Sequence, residues 1–143
     1  MKKIIFIITL LVNTILTYAN VDFNLAVEKM VTQNGNTTLV AVEETDPGDT
    51  LVYTLHISNN NNGTVSNITP TIPIPKYTTL IPGLVTPNTN YTVSIDEKTY
   101  KPYPYLGADG RPIPDSMYKA IRWTVNSMKP HEMNLFKFGV SVN

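Results

Sequence analysis

The groups that could do acid–base or metal chemistry are few and scattered. His56 and His131 are the two histidines of the 143-residue chain, which has no cysteine. A two-histidine metal or proton-transfer site needs its imidazoles within a few ångströms of each other. His56 falls on the outward face of an alternating stretch and His131 in a turn near the far end, so nothing in the pattern joins them. Glu43, Glu44, Asp46 and Asp49 gather oxygens that would suit calcium. The same spacing suits a solvated turn in which Asp49 bonds its own backbone, and that reading is preferred. "GADG" (107–110) holds one carboxylate, too few for a calcium loop with ligands at alternating positions. Asp96 and Glu97 are neighbours, so along a strand they face opposite ways and do not make a paired-carboxylate hydrolase site. There is no Gly-x-Ser-x-Gly elbow and no phosphate loop. The expectation is a protein that is not an enzyme and uses no cofactor or metal.

A different chemistry is suggested by "KTYKPYPYLGADGRPIPD" (98–115), which shows no strand or helix period. Long irregular loops in compact domains often carry function. Tyr100, Tyr103 and Tyr105 would stack on a sugar or grip a protein if exposed, because aromatic rings give much contact at low entropy cost. Arg111 of the same loop joins them as a candidate partner or ligand contact. The competing reading is that the tyrosines pin their own loop to the domain.

These residues need a scaffold, and composition bounds it. Lys2 and Lys3, the apolar run "IIFIITLLV" (4–12), and Thr17 and Ala19 at the −3 and −1 places form a secretory signal pattern with cleavage after Ala19. Asn13 and Thr14 break the apolar run short of the roughly 20 residues a membrane span needs. The expected products are a signal peptide over 1–19 and a single domain over 20–143, with no membrane-embedded segment left. Without Lys2 and Lys3, nine basic residues face eleven acidic ones, a net charge of −2. That balance argues against nucleic acid, which needs clustered Lys and Arg. An exported chain without cysteine has no disulfides, so its core must hold it alone, which suits a bacterial envelope.

The rest of the chain is short β-type runs punctuated by proline and glycine. "TLVYTLHISN" (50–59) places Leu51, Tyr53, Leu55 and Ile57 on one face and Val52, Thr54, His56 and Ser58 on the other. "NNNNG" (59–63) reads as a hairpin loop after it. "FNLAVEKMV" (23–31) and "TTLVAVEE" (37–44) flank the Asn34–Gly35 turn signal. Pro70, Pro73 and Pro75 make 65–75 an edge strand that leaves its sheet. "YTVSID" (91–96), "YKAIRWTVN" (118–126) and "NLFKFGVSV" (134–142) add further strands. Tyr53, Trp123, Phe136 and Phe138 are the expected buried aromatics. Seven to nine strands at this spacing predict an all-β, immunoglobulin-like two-sheet antiparallel β-sandwich. Four Asn-x-Thr sequons, at Asn36, Asn62, Asn67 and Asn90, are read as coincidence in an Asn- and Thr-rich chain.

The order of motifs resembles a bacterial surface-protein family, the conserved-repeat domain of unknown function. The resemblance rests on "DPGDTLVYTLHISNNNNGTVSNI" (46–68), "IPIPKYTTLIPG" (72–83), "YTVSIDEKTY" (91–100) and "AIRWTVNSMKPHEMNLFKFGVSV" (120–142). It spans about residues 23–142 and implies an immunoglobulin-like sandwich that serves architecture. Three places depart from the family pattern: Ile72 where an Asp is usual, Pro130-His131-Glu132 for a Pro-Gly turn, and Glu97-Lys98 for a Gly-Gly turn. Members usually stand in tandem, whereas this chain shows one copy. The implied role is a structural or interaction module of the cell envelope or surface, periplasmic or extracellular, with envelope or surface proteins as partners. The alternative is a glycan- or small-ligand-binding module using the tyrosine loop.

Overall fold

The computed structural model describes residues 20–143. The expected signal peptide, 1–19, lies outside the described residues. Among the described residues no helix is long and apolar enough to cross a membrane. The chain runs β1 (Val21–Gln33), β2 (Asn36–Ala41), β3 (Thr50–Asn59), β4 (Val65–Ile68), β5 (Thr71–Pro73), β6 (Thr78–Thr86), β7 (Tyr91–Ser94) and β8 (Lys101–Pro102). A 3-10 turn (Asp115–Met117), β9 (Ala120–Trp123), β10 (Val125–Met128) and β11 (Met133–Val142) complete it. Every pairing is antiparallel. This is the antiparallel β-sandwich of an immunoglobulin-like all-β fold.

One sheet has the order β2-β1-β3-β11-β6 and the other β5-β9-β7-β8, with β4 and β10 as a two-stranded piece. That piece belongs to the second sheet. Ile68 opposes Val125 as Ile72 opposes Ile121, so the register is unchanged across the break. The break falls where Pro70 faces Trp123. Proline offers no N–H, and one bond survives there, from Trp123 N to Pro70 O at 3.0 Å. The prolines thus cut one long ladder in two, which with the two-residue β8 lifts the strand number to eleven.

The alternation of β3 is what the core is built on. Leu51, Tyr53, Leu55 and Ile57 are buried, and β11 adds Phe136, Phe138, Val140 and Val142. All four expected aromatics lie inside. Tyr53 stacks on Phe138 at 5.0 Å, and Trp123 tilts against Phe136 at 5.2 Å. Side chains of this size contribute about 1.5–3 kcal/mol each when buried. The outward face of β3 departs from the expectation, because Val52 and Thr54 are buried too. Part of the cover comes from β6. Its residues 82–85 bulge out, so that Thr86 pairs with Lys137 and Ile81 with Gly139. The excursion lays Leu84 over Gly139, the neighbour of Val52 in β11. A Cβ on Gly139 would lie 2.5 Å from Leu84 Cδ1 and 2.8 Å from Leu84 Cβ, so glycine is what lets β6 close on the sheet.

"NNNNG" is not a hairpin. β3 and β4 lie in different sheets, and the loop is a corner between them. None of Asn60, Asn61 and Asn62 has positive φ. The anchor is Asn59, fully buried, whose amide donates to the carbonyls of Gly63, Met128 and Lys129, each at 3.0 Å. Its Oδ1 accepts from Asn61 N. The Asn34–Gly35 signal does make a hairpin: both residues have positive φ, 51° and 79°, between β1 and β2.

Candidate functional site

The tyrosine loop is tied down by its own rings. Tyr105 is buried. Its backbone N–H donates to the Tyr118 hydroxyl, which donates in turn to the Ile113 carbonyl, both at 3.2 Å. Tyr103 stacks on Tyr91 at 5.8 Å and meets Tyr118 edge-on at 6.0 Å. Burial, with Tyr103 and Tyr118 alongside, pushes the Tyr91 hydroxyl up to about 12. Tyr100 lies under the Arg122 guanidinium at 3.6 Å, and Arg122 Nε also donates to Thr71 Oγ1 at 2.8 Å. Lys101 sits over the Tyr105 ring at 4.8 Å. Arg111 is exposed at the loop tip, where its backbone N–H donates to Asp109 Oδ1. Four residues singled out by sequence thus share one loop, but no common open face. Tyr105 is inside, Tyr100 and Tyr103 are half-buried, and Arg111 points outward alone.

The acidic groups serve turns. Asp49 Oδ2 accepts from Asp46 N and from Lys29 Nζ, both at 2.8 Å, which closes the turn expected there. Asp96 Oδ1 accepts from Thr99 N, Lys98 N and Ser94 Oγ at 2.7–2.9 Å. These donors, Thr99 N–H first, hold its carboxyl down at about 2. Gly107 and Gly110 close the "GADG" turn through Gly110 N to Gly107 O. Among the described residues no group of three or more His, Cys, Asp and Glu is placed to hold a metal.

Shallow depressions open on the surface among the described residues. One, of ≈ 560 Å³, lies on the outer face of the five-stranded sheet and is lined by Asp22, Phe23, Asn24, His56, Ser58 and Met133. His56 faces it; His131 does not and sits in its own turn with φ 62°. Another, of ≈ 510 Å³, lies at the end of the sandwich, where Lys76, Tyr77, Asp96, Glu97, Met117 and Asn143 contribute. Tyr77 is 69% exposed and has φ 64°, a left-handed backbone that bulky residues avoid. Sequence reasoning missed it, since neither its position after Pro75-Lys76 nor its residue type signals that backbone.

A third surface is made of backbone. β2 pairs with β1 only from Glu28 to Gln33. Over 21–27, β1 has β3 on one side and no described strand on the other. Val21, Phe23, Leu25 and Val27 are half-buried against the core, while Asp22, Asn24 and Ala26 are exposed. Three of the other edges are blunted, while β4 and β10 pair only with each other among the described strands. β6 carries Pro82 and its bulge, β5 carries Pro73, and β8 has two residues. β2 has no described strand along its outer side but is exposed at every residue, with no apolar row turned to the core.

No family model, curated protein or solved structure matches this chain.

Proposed function

We propose that this chain is a non-enzymatic interaction module, exported to the bacterial cell envelope or surface as an accessory or structural component of an assembly there. The observation that carries the reading is the opening at 21–27. Among the described residues no strand pairs with its outer side, which lies beside a half-buried apolar row, and that is how a sheet accepts another strand. The signal pattern in 1–19 supports export, and the aromatic loop, taken up largely with its own packing, leaves the sheet edge as the better contact. Crosslinking intact cells and recovering the chain from the envelope fraction tests it. A discrete band above the monomer is the expected result; free monomer in the periplasmic or culture fraction would overturn it.

One observation favours ligand binding instead, at a place other than the tyrosine loop. Tyr77 presents a bare ring beside Met117 and the charged groups of the end depression. On that reading Tyr77→Ala abolishes retention on immobilised glycans at unchanged melting temperature. Retention equal to wild type removes it.

A further inference from the structure

We propose that the strand partner at 21–27 is a second copy of the same chain, paired antiparallel about Asn24. The inference rests on the interaction-module reading and names its partner. In the segment Val21-Asp22-Phe23-Asn24-Leu25-Ala26-Val27 the half-buried apolar row, Val21, Phe23, Leu25 and Val27, is symmetric in residue type about Asn24. In antiparallel register Val21 meets Val27 of the second copy, Asp22 meets Ala26, Phe23 meets Leu25, and Asn24 meets itself. Apolar residues oppose apolar residues along the half-buried row, Asp22 faces the small Ala26 on the exposed side, and no two charges stand directly opposite each other. A two-fold axis normal to the sheet keeps both half-buried apolar rows on the same side, so each copy extends the other's inner face. A closed isologous pair also hides both openings, and no edge is left there to propagate a fibre.

The length of the opening fits. β2 begins its pairing at Glu28, opposite Ala41. In the proposed register the place opposite Glu28 would fall to Asn20 of the second copy. Asn20 has φ 66°, which turns the chain out of the strand line just before that place. The seven residues of each copy therefore fill the seven-residue gap of the other, and each β2 abuts the end of its neighbour's β1. Asp22, Phe23 and Asn24 also line the outer-face depression, so pairing would wall its open side.

The chain has no cysteine, so single introduced thiols report the register directly. Asn24→Cys is expected to give a disulfide dimer under mild oxidation, because opposed residues in an antiparallel pair lie about 4.5–5.5 Å apart at Cα. A mixture of Asp22→Cys and Ala26→Cys chains is expected to crosslink more than either alone. Thr38→Cys, on the exposed β2, is expected to stay monomeric. Ala26→Asp sets a carboxylate against Asp22 twice across the axis, and should weaken dimerisation about tenfold in sedimentation equilibrium. Asp22→Lys added to Ala26→Asp should restore it. Equal crosslinking at 24 and 38, or a wild-type chain that sediments as a monomer at millimolar concentration, overturns the self-pairing. A monomer in vitro that is still crosslinked to a different protein in cells overturns the self-pairing alone. No complex in either setting overturns the interaction-module reading as well.

Discussion

The loop at 98–115 and the strand segment at 21–27 exchange the roles their sequences suggest. The loop is irregular, aromatic and long, the profile of a binding surface. It binds mainly its own domain: Tyr103, Tyr105 and Tyr118 lock it through two hydrogen bonds and a ring cluster. The strand segment reads as ordinary architecture, yet it is where backbone groups face outward beside an apolar row. Aromatic content measures how much contact a segment can make, not with what. Unpaired backbone is a more direct mark of a missing partner, because a strand's N–H and C=O groups seek satisfaction whatever side chains they carry.

Four measurements would break that contrast or sharpen it. The largest effect belongs to Tyr105→Ala, which removes a buried ring and should lower stability by about 3–5 kcal/mol in denaturant unfolding. A change under ~1 kcal/mol would make the loop an independent appendage and reopen its case as a binding surface. Next is Tyr118→Phe. It strands the Tyr105 N–H and Ile113 carbonyl in a partly dry site and should cost about 1–3 kcal/mol, with the ring contacts kept. The third effect is alkaline. Burial raises both Tyr53 and Tyr91 from 10.0 to about 12. A raised folded-state value contributes stability that is full below pH 10 and lost as pH climbs through 12. Thermal unfolding followed from pH 9 to pH 12 should show that loss, while any association through 21–27 stays flat, as Asp22 is the segment's one titratable side chain. Smallest is Ala26→Asp, an exposed change expected to alter monomer stability by less than about 0.5 kcal/mol. A larger loss would mean that the segment is packed by its own chain.

The strands were legible where the period is two and the partner is apolar. "TLVYTLHISN" is β3 residue for residue, and Tyr53, Trp123, Phe136 and Phe138 went inside as their alternation required. Local pattern failed where distant chain decides. Asn59 reads as the first residue of a turn, but its amide holds carbonyls 69 and 70 positions away. Val52 and Thr54 read as outward, but cover such as Leu84 over Gly139 comes from a bulge that no short-range signal marks. Of the candidate site, the alternative of tyrosines pinning their own loop was in view, since ring content alone serves both readings. The opening beside β1 was not, because it depends on where β2 stops, and a strand's end is the least legible part of it. Tyr53 keeps one further secret of that kind: its hydroxyl is buried with no hydrogen-bond partner among the described residues, a cost that alternation cannot express.

The two strands that flank β3 have a mechanical meaning. Both run antiparallel to β3, so β1 starts beside Asn59 while β11 finishes beside Thr50. A pull applied at Val21 and at Val142 would act along the strands from opposite ends of one sheet. Within the β1–β3 ladder, and within the β3–β11 ladder, the hydrogen bonds would then bear load side by side in shear, and those of one ladder would have to rupture together instead of unzipping one at a time. Forced unfolding follows the unfolding rate rather than the equilibrium. The strength of a sandwich threaded this way under tension is thus set by strand order and direction, separately from its equilibrium stability.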